Sequence, residues 1–326
     1  MQGGFQMRQK FNALAVGAVL AAAWASQATA ADPPLFTVND NSISYATRFN
    51  ATDPFVTDHT QKNVITFTHF DAWAYGTNFF NIDLLKSDIK DPANPCGLPG
   101  FPTTGCEGTT EIYGFFRSTL GFKELFGWRF GSFLTNISFK VGGDANSVNN
   151  ANAAAKKDVV AGLQFNFALP YGATFNFAPL FYSEKNHSSF ILVNNLFGGP
   201  GGTPIAGPVS GTDYFQTWRV EGALNVPLGP KGTPLSFGSL FGINGPKGTC
   251  PGGACGTVNG VPTKTEYFTQ QSITLDVGQL AYGKPNLFSI FVAYVYWQNK
   301  FGIDHNLDPT GATTESTALL GGTLRF

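Results

Sequence analysis

Two short stretches place groups capable of chemistry at alternate positions. In "TWRVEGALNV" (217–226) Arg219 and Glu221 lie two residues apart, and in "IYGFFRST" (112–119) Tyr113, Phe115 and Arg117 share the same spacing. A spacing of two puts side chains on one face of a β-strand. Aromatic rings beside a guanidinium and a carboxylate form no nucleophile and no proton relay. They form a binding surface, on which a flat ligand stacks while its polar rim meets charge; stacking of a base on an aromatic ring is worth about 1–3 kcal/mol. Phe67, His69 and Asp71, then Asn81 and Asp83, and Trp297 near the end of the chain repeat the pattern. No residue set points to a metal site, a cofactor or a catalytic group.

The elements that must carry these residues follow from composition. Charged residues make up 13% of the 326 residues, and there are 32 Phe and 39 Gly. Soluble domains carry about 25% charged residues. The net charge of −1 gives no footprint for a nucleic-acid partner. The longest apolar run, Phe11–Ala25, follows Arg8 and Lys10 and precedes Ala28-Thr29-Ala30. That is the pattern of a cleavable secretory signal peptide over 1–30, leaving 31–326 as the folded part. After it comes no second run long enough for a membrane helix. Few charges, many aromatics and one export signal together predict an all-β fold: a transmembrane, antiparallel, up-and-down β-barrel in the outer membrane of a Gram-negative bacterium, with the lipid bilayer as its first partner.

Alternation divides 31–326 into twelve segments near 42–51, 62–72, 77–87, 110–121, 128–141, 157–168, 172–184, 213–226, 235–243, 265–278, 287–299 and 313–326. Each is about the length a tilted strand needs to cross a bilayer. Short and longer connections alternate, as periplasmic turns and extracellular loops do in such barrels. The lipid face is predicted to hold Val159, Ala161, Leu163, Phe165 and Phe167 in the sixth segment, and Phe175, Phe177, Pro179 and Phe181 in the seventh. A charge on that face costs about 2–4 kcal/mol near the midplane, so Arg219, Glu221 and Asp276 are predicted to face inward. The last segment, "TTESTALLGGTLRF", reads as the strand that closes the barrel against the first. Its terminal Phe326 is similar to the C-terminal aromatic of outer-membrane proteins, which implies recognition by the outer-membrane assembly machinery. Cys96 and Cys106 lie in one Pro/Gly-rich loop and Cys250 and Cys255 in another, which predicts two local disulfides in an oxidising compartment.

Three function classes compete. A channel for small solutes uses the inward set Phe67, Asp71, Asp83, Tyr113, Phe115, Arg117, Arg219, Glu221 and Trp297 to bind its solute weakly, so that passage is not trapped. A channel for other small aromatic or hydrophobic compounds would need a plug or a lateral exit, and the stretch before the first strand is short for a plug. A surface adhesin or receptor barrel would use its loops. An enzyme is not expected: "KNHSSF" (185–190) sets His187 beside Ser188 and Ser189, but adjacency in sequence is not triad geometry.

"SYATRFN" (44–50) and "YGTNFFNIDLL" (75–85) resemble the first and third strands of the nucleoside-specific outer-membrane channels of the Tsx type. The likeness covers the first three strands only. It implies a twelve-stranded barrel with a narrow aromatic-lined pore, nucleosides as the solute, and a nucleobase contact at Phe49 with Arg48 beside it. The Cys-bearing loops and the Gly/Pro-rich stretch 198–211 depart from that family's pattern. Alternation by itself puts Phe49 on the same face as Ile43 and Tyr45.

Overall fold

The structure, a computed structural model, describes residues 35–54, 56–92, 108–148, 156–186, 212–214, 216–230, 232–247, 249–250 and 263–326. Residues 1–30, with the expected signal peptide, lie outside that set, as do Cys96, Cys106 and Cys255.

The chain folds into a closed antiparallel barrel of twelve spanning strands. In chain order the strands are β1 (Phe36–Ala51), β2 (Thr60–Trp73), β3 (Gly76–Ser87), β4 (Thr110–Gly121), β5 (Leu134–Val148), β6 (Lys157–Ala168), β7 (Thr174–Asn186), β8 (Thr212–Tyr214), β9 (Thr217–Pro227), β10 (Leu235–Asn244), β11 (Thr249–Cys250), β12 (Glu266–Asp276), β13 (Phe288–Gln298) and β14 (Glu315–Arg325). The short β8 and β11 pair with each other at the end of β7 and do not span. Each spanning strand pairs with its neighbours in sequence, β7 pairs with β9, and β14 pairs with β1 from Ser42↔Arg325 to Arg48↔Leu319. Closure removes every free edge, which is the condition for strands to survive in hydrocarbon.

The outward face is a belt of exposed apolar side chains: Ile43, Ile65, Ile82, Ile112, Phe116, Val141, Val159, Phe181, Ile273, Val292 and Leu320 follow one another around the wall. No soluble surface tolerates so continuous a patch. Together with closure it defines an outer-membrane β-barrel. The described parts of the connections 74–75, 122–133, 169–173, 228–234 and 277–287 sit at one end, and those of 52–59, 88–109 and 299–314 at the other. Asymmetry of this kind assigns the first end to the periplasm and the second to the exterior. At the periplasmic rim the helix α1 (Phe122–Phe126) begins a ring cluster: Phe122 meets Phe126, Trp128 and Phe139 at centroid distances of 5.4, 5.2 and 4.7 Å. Aromatics gather there because the rings suit the boundary between hydrocarbon and water.

Two glycines permit rings to cross the ladder. A Cβ on Gly222 would stand 2.3 Å from the Phe241 ring, and one on Gly321 would stand 2.5 Å from the Phe291 ring. Each ring lies over the glycine directly opposite it in the ladder.

The fifth strand differs from expectation. It runs 134–148 rather than 128–141, so "WRFGSF" (128–133) belongs to the periplasmic connection and "GGDANSV" (142–148) to the wall. Gly142 to Val148 is polar on one parity and small on the other, which hides its alternation. The tenth predicted segment also ends early. Asp276 closes β12 on the inward parity, but its carboxylate caps α2 (Val277–Tyr282) by accepting from the Gln279 amide at 2.9 Å, and it accepts from the Asn286 amide at 2.6 Å.

Candidate functional site: a charged bridge across the lumen

The inward faces of β4, β5 and β9 bring together residues far apart in sequence. The Arg117 guanidinium on β4 donates to both oxygens of Glu221 on β9, Nε at 3.2 and 3.0 Å and Nη2 at 2.5 Å. β5, β6 and β7 separate those two strands in the wall, so the pair runs as a chord inside the barrel and takes up lumen cross-section. Arg117 Nη1 also donates to Asp144 on β5 at 2.7 Å. Glu221 accepts from Arg219 Nε at 2.7 Å and lies 3.2 Å from Lys140 Nζ. Three cations thus surround one carboxylate, and all four groups are at least half buried. Gly142 makes room, since a Cβ there would stand 2.6 Å from Arg117 Cδ. Beneath the guanidinium the Phe115 ring lies 4.0 Å away, a cation–π contact.

The network continues toward the exterior. Arg219 Nη1 donates to Asn244 at 2.8 Å, Asn244 donates to Glu266 at 2.8 Å, and Trp297 Nε1 donates to the other oxygen of Glu266 at 2.8 Å. Lys247 donates to Glu184, which also accepts from the Tyr182 hydroxyl at 2.6 Å. Lys156 pairs with Asp158 at 3.1 Å. Cations and carboxylates interleave with every charge answered, as buried charges require.

A second knot ties the seam between β14 and β1. Glu315, fully buried, accepts from Arg48 and from Lys300 Nζ, the latter at 2.7 Å, and Lys300 also donates to the Thr52 carbonyl. Lys300 and Asp53 lie in the connections above the strands. Burial, reinforced by the nearby positive Arg48 and Lys62 and opposed by Asp53, brings the Lys300 ammonium down to about 7. Burial raises the Asp53 carboxyl, but Lys62, Lys300 and Arg48 outweigh it and hold the group below its usual range.

Below the bridge, toward the periplasm, part of the lumen wall is lined by uncharged side chains. A recess of about 320 Å³ is lined by inward Thr174, Asn176, Ala223, Asn225, Leu240, Gln270 and Ser272.

Of the residues singled out from sequence, Arg48, Asp83, Tyr113, Phe115, Arg117, Arg219, Glu221 and Trp297 share the inward parity. Asp83 stands opposite Thr66 and Tyr113 in the ladders and accepts from Thr66 at 2.7 Å and Asn81 at 2.9 Å. Three do not face the lumen. Phe67 is paired with the exposed Ile82, and Asp71 with Asn78, on the outward face of β2 and β3. Phe49 is 43% exposed on the outward face of β1, on the parity of Ile43 and Tyr45. Arg48 alone of that pair points inward, to Glu315. The reversal on β2 has a physical cause: both of its faces mix aromatic, β-branched and polar residues, so nothing in the strand itself says which is wet. Outward Asp71 is 4% exposed and held in a polar chain, accepting from Asn78 at 2.9 Å and meeting His69 Nε2 at 3.1 Å, while His69 Nδ1 meets Asn41 at 2.8 Å. These residues lie on the last turns of β2 before the periplasmic connection, where a polar outward group is tolerated.

Sequence reading did not single out Lys140, Asp144, Lys247, Glu266, Lys300 or Glu315 for the site. Lys140 and Asp144 fell at a misplaced strand end. Lys247 and Lys300 sit in connections, where no periodicity marks a side chain as inward.

No protein-family model matches the chain. No curated protein matches it in sequence. Among solved structures, it is similar to the translocator domain of the autotransporter NalP from Neisseria meningitidis, at 11% identity and a TM-score of 0.41, over 89% of each chain. It is also similar to OccAB1 of Acinetobacter baumannii, at 11% identity and a TM-score of 0.32, over 88% of this chain and 95% of that one. A porin is matched at 10% identity and a TM-score of 0.32, over 89% and 99%. Likenesses this distant say nothing of substrate.

Proposed function

We propose that the protein is a passive channel for small polar solutes and that nucleosides are its preferred cargo. The observation that carries the channel reading is the Arg117–Glu221 chord. A barrel that only anchored loops or displayed a receptor surface would have no need of a fully paired ionic bridge inside its lumen, with an open, uncharged recess below it. Charge on both signs at the constriction, rather than an apolar lining, also disfavours uptake of hydrophobic compounds. The nucleoside preference draws on inward rings that stand next to hydrogen-bonding groups: Phe115 under Arg117, Tyr113 opposite Asp83, and Trp297 beside Glu266, to which its Nε1 donates at 2.8 Å. A ring beside an amide or carboxylate meets a base on its face and a ribose on its hydroxyls. The resemblance of 44–50 and 75–85 to nucleoside channels points the same way, with Arg48 rather than Phe49 as the member of that motif on the lumen side.

Liposome swelling with the purified barrel tests the reading. Adenosine and thymidine are expected to enter faster than a sugar of equal size and to compete with one another. Equal entry of all three would reduce the protein to a narrow general pore.

A further inference from the structure

Four neighbouring strands present a small grid of inward residues below the bridge. One row runs Thr174–Asn225–Gly238–Ser272 and the next Asn176–Ala223–Leu240–Gln270, across β7, β9, β10 and β12. Gly238 and Ala223 leave a hollow, and Leu240, 52% exposed inside the barrel, gives it one apolar wall. Around the hollow stand the amides of Asn176, Asn225 and Gln270. None of the three makes a side-chain hydrogen bond among the described residues. The other inward amides do: Asn81 with Asp83, Asn244 with Glu266, and Gln164 with Asn166. Each free amide offers both a donor and an acceptor. No ionisable side chain lines the recess, and Glu221, the next inward residue of β9 above Ala223, is already answered by its three cations.

We infer that this recess is a solute-binding site for an uncharged molecule with adjoining hydrogen-bond donors and acceptors around a compact body, the chemistry shared by a nucleoside and a monosaccharide. The body rests on Leu240 and Ala223, and its rim is read by Asn176, Asn225 and Gln270. A charged solute is disfavoured there, because no counter-charge is within the lining to replace its lost hydration. The volume of about 320 Å³ admits one such molecule. The site deepens the channel reading and rests on it, since a solute must reach the lumen to bind.

The test is block of single-channel ion current in planar bilayers by adenosine, by glucose and by adenosine monophosphate, for the parent and for Asn225→Leu with Gln270→Leu. Heat-modifiable gel migration checks that each barrel is folded. If a barrel carries no current, calorimetric titration with the same three probes makes the same comparison. Adenosine, glucose or both are expected to block the parent. The double variant should raise the blocking concentration about tenfold, the loss of one or two hydrogen bonds. Asn225→Gln, which keeps the amide, should stay near the parent. Block by adenosine that the leucine variants leave unchanged would overturn the recess and leave the nucleoside channel standing. Block by glucose alone, relieved in the variants, would keep the recess and overturn the nucleoside preference. Equal or stronger block by the monophosphate, or no binding of any probe, would overturn the site.

Discussion

Glu221 and Asp71 are both carboxylates on strands, one inside the barrel and one outside, and each depends on its partners. Arg117 supplies Glu221 with three of its contacts, so Arg117→Ala opens the chord and leaves Asp144 without its guanidinium. Single-channel conductance is expected to rise in that variant, and the reversal potential in a salt gradient to shift toward cations. An unchanged conductance would mean that the bridge does not set the constriction. Asp71 is different. Asp71→Ala removes the acceptor of the Asn78 amide and the partner of His69 Nε2 on the membrane face, which should cost about 1–3 kcal/mol in unfolding free energy and leave conductance untouched. Urea titration of the folded barrel in detergent measures the first, and bilayer recording the second.

At the scale of elements, the β14–β1 seam is where the barrel closes and where a single buried carboxylate serves three segments. Glu315 holds Arg48 of β1, Lys300 of the connection 299–314, and the Thr52 amide at 3.3 Å. Removing one member of a buried ionic group leaves its partners uncompensated, a cost of about 3–5 kcal/mol. Glu315→Ala is therefore expected to lower the midpoint of unfolding sharply, while Glu315→Gln, which keeps the shape and one acceptor, lowers it less. Thermal denaturation of refolded protein separates them.

Lys300 extends that seam into a dependence on pH. Its ordinary value is 10.5, and burial brings it to about 7 in the folded chain. Between those limits the unfolded chain holds a proton that the folded one has released, so stability rises with pH across that window. Below about 7 both states are protonated and the full cost of burying the charge is present. The unfolding midpoint should thus climb between about pH 7 and about pH 10, inside that window, and Lys300→Met should flatten the climb. A midpoint that falls over the same range would show that the ammonium is stabilised by Glu315 more than it is penalised by burial.

For the molecule as a whole, charge of both signs in the outer half of the lumen is largely paired, as in Lys156–Asp158, Lys247–Glu184, Arg219–Glu221 and Lys300–Glu315, while the inward Asp83 is answered by the Thr66 hydroxyl and the Asn81 amide. Paired charges cast little net field. The parent channel should therefore discriminate weakly between potassium and chloride, and a strong preference for either would place unpaired charge in the permeation path.

Much of this was legible from alternation. The spanning strands, the closing role of 313–326, and the lipid face of β6 and β7 follow from a period of two, which is a local property of the backbone: a strand must send alternate side chains to opposite sides wherever it lies. Membership of the lumen was legible for Arg117 and Glu221, because the other parity of each strand is mostly apolar. It was not legible for Phe67 and Asp71, where both faces are mixed, nor for Asp144, whose strand end is built of glycine and alanine on its outward side. The tertiary structure alone decided which charges meet. Arg117 and Glu221 are 104 residues apart, and Arg48 and Glu315 are 267 apart. Their encounter depends on how far each strand is offset against the next as the sheet closes, and on where loop lysines fold back over the rim. Offsets add up around the wall, so no single strand contains them.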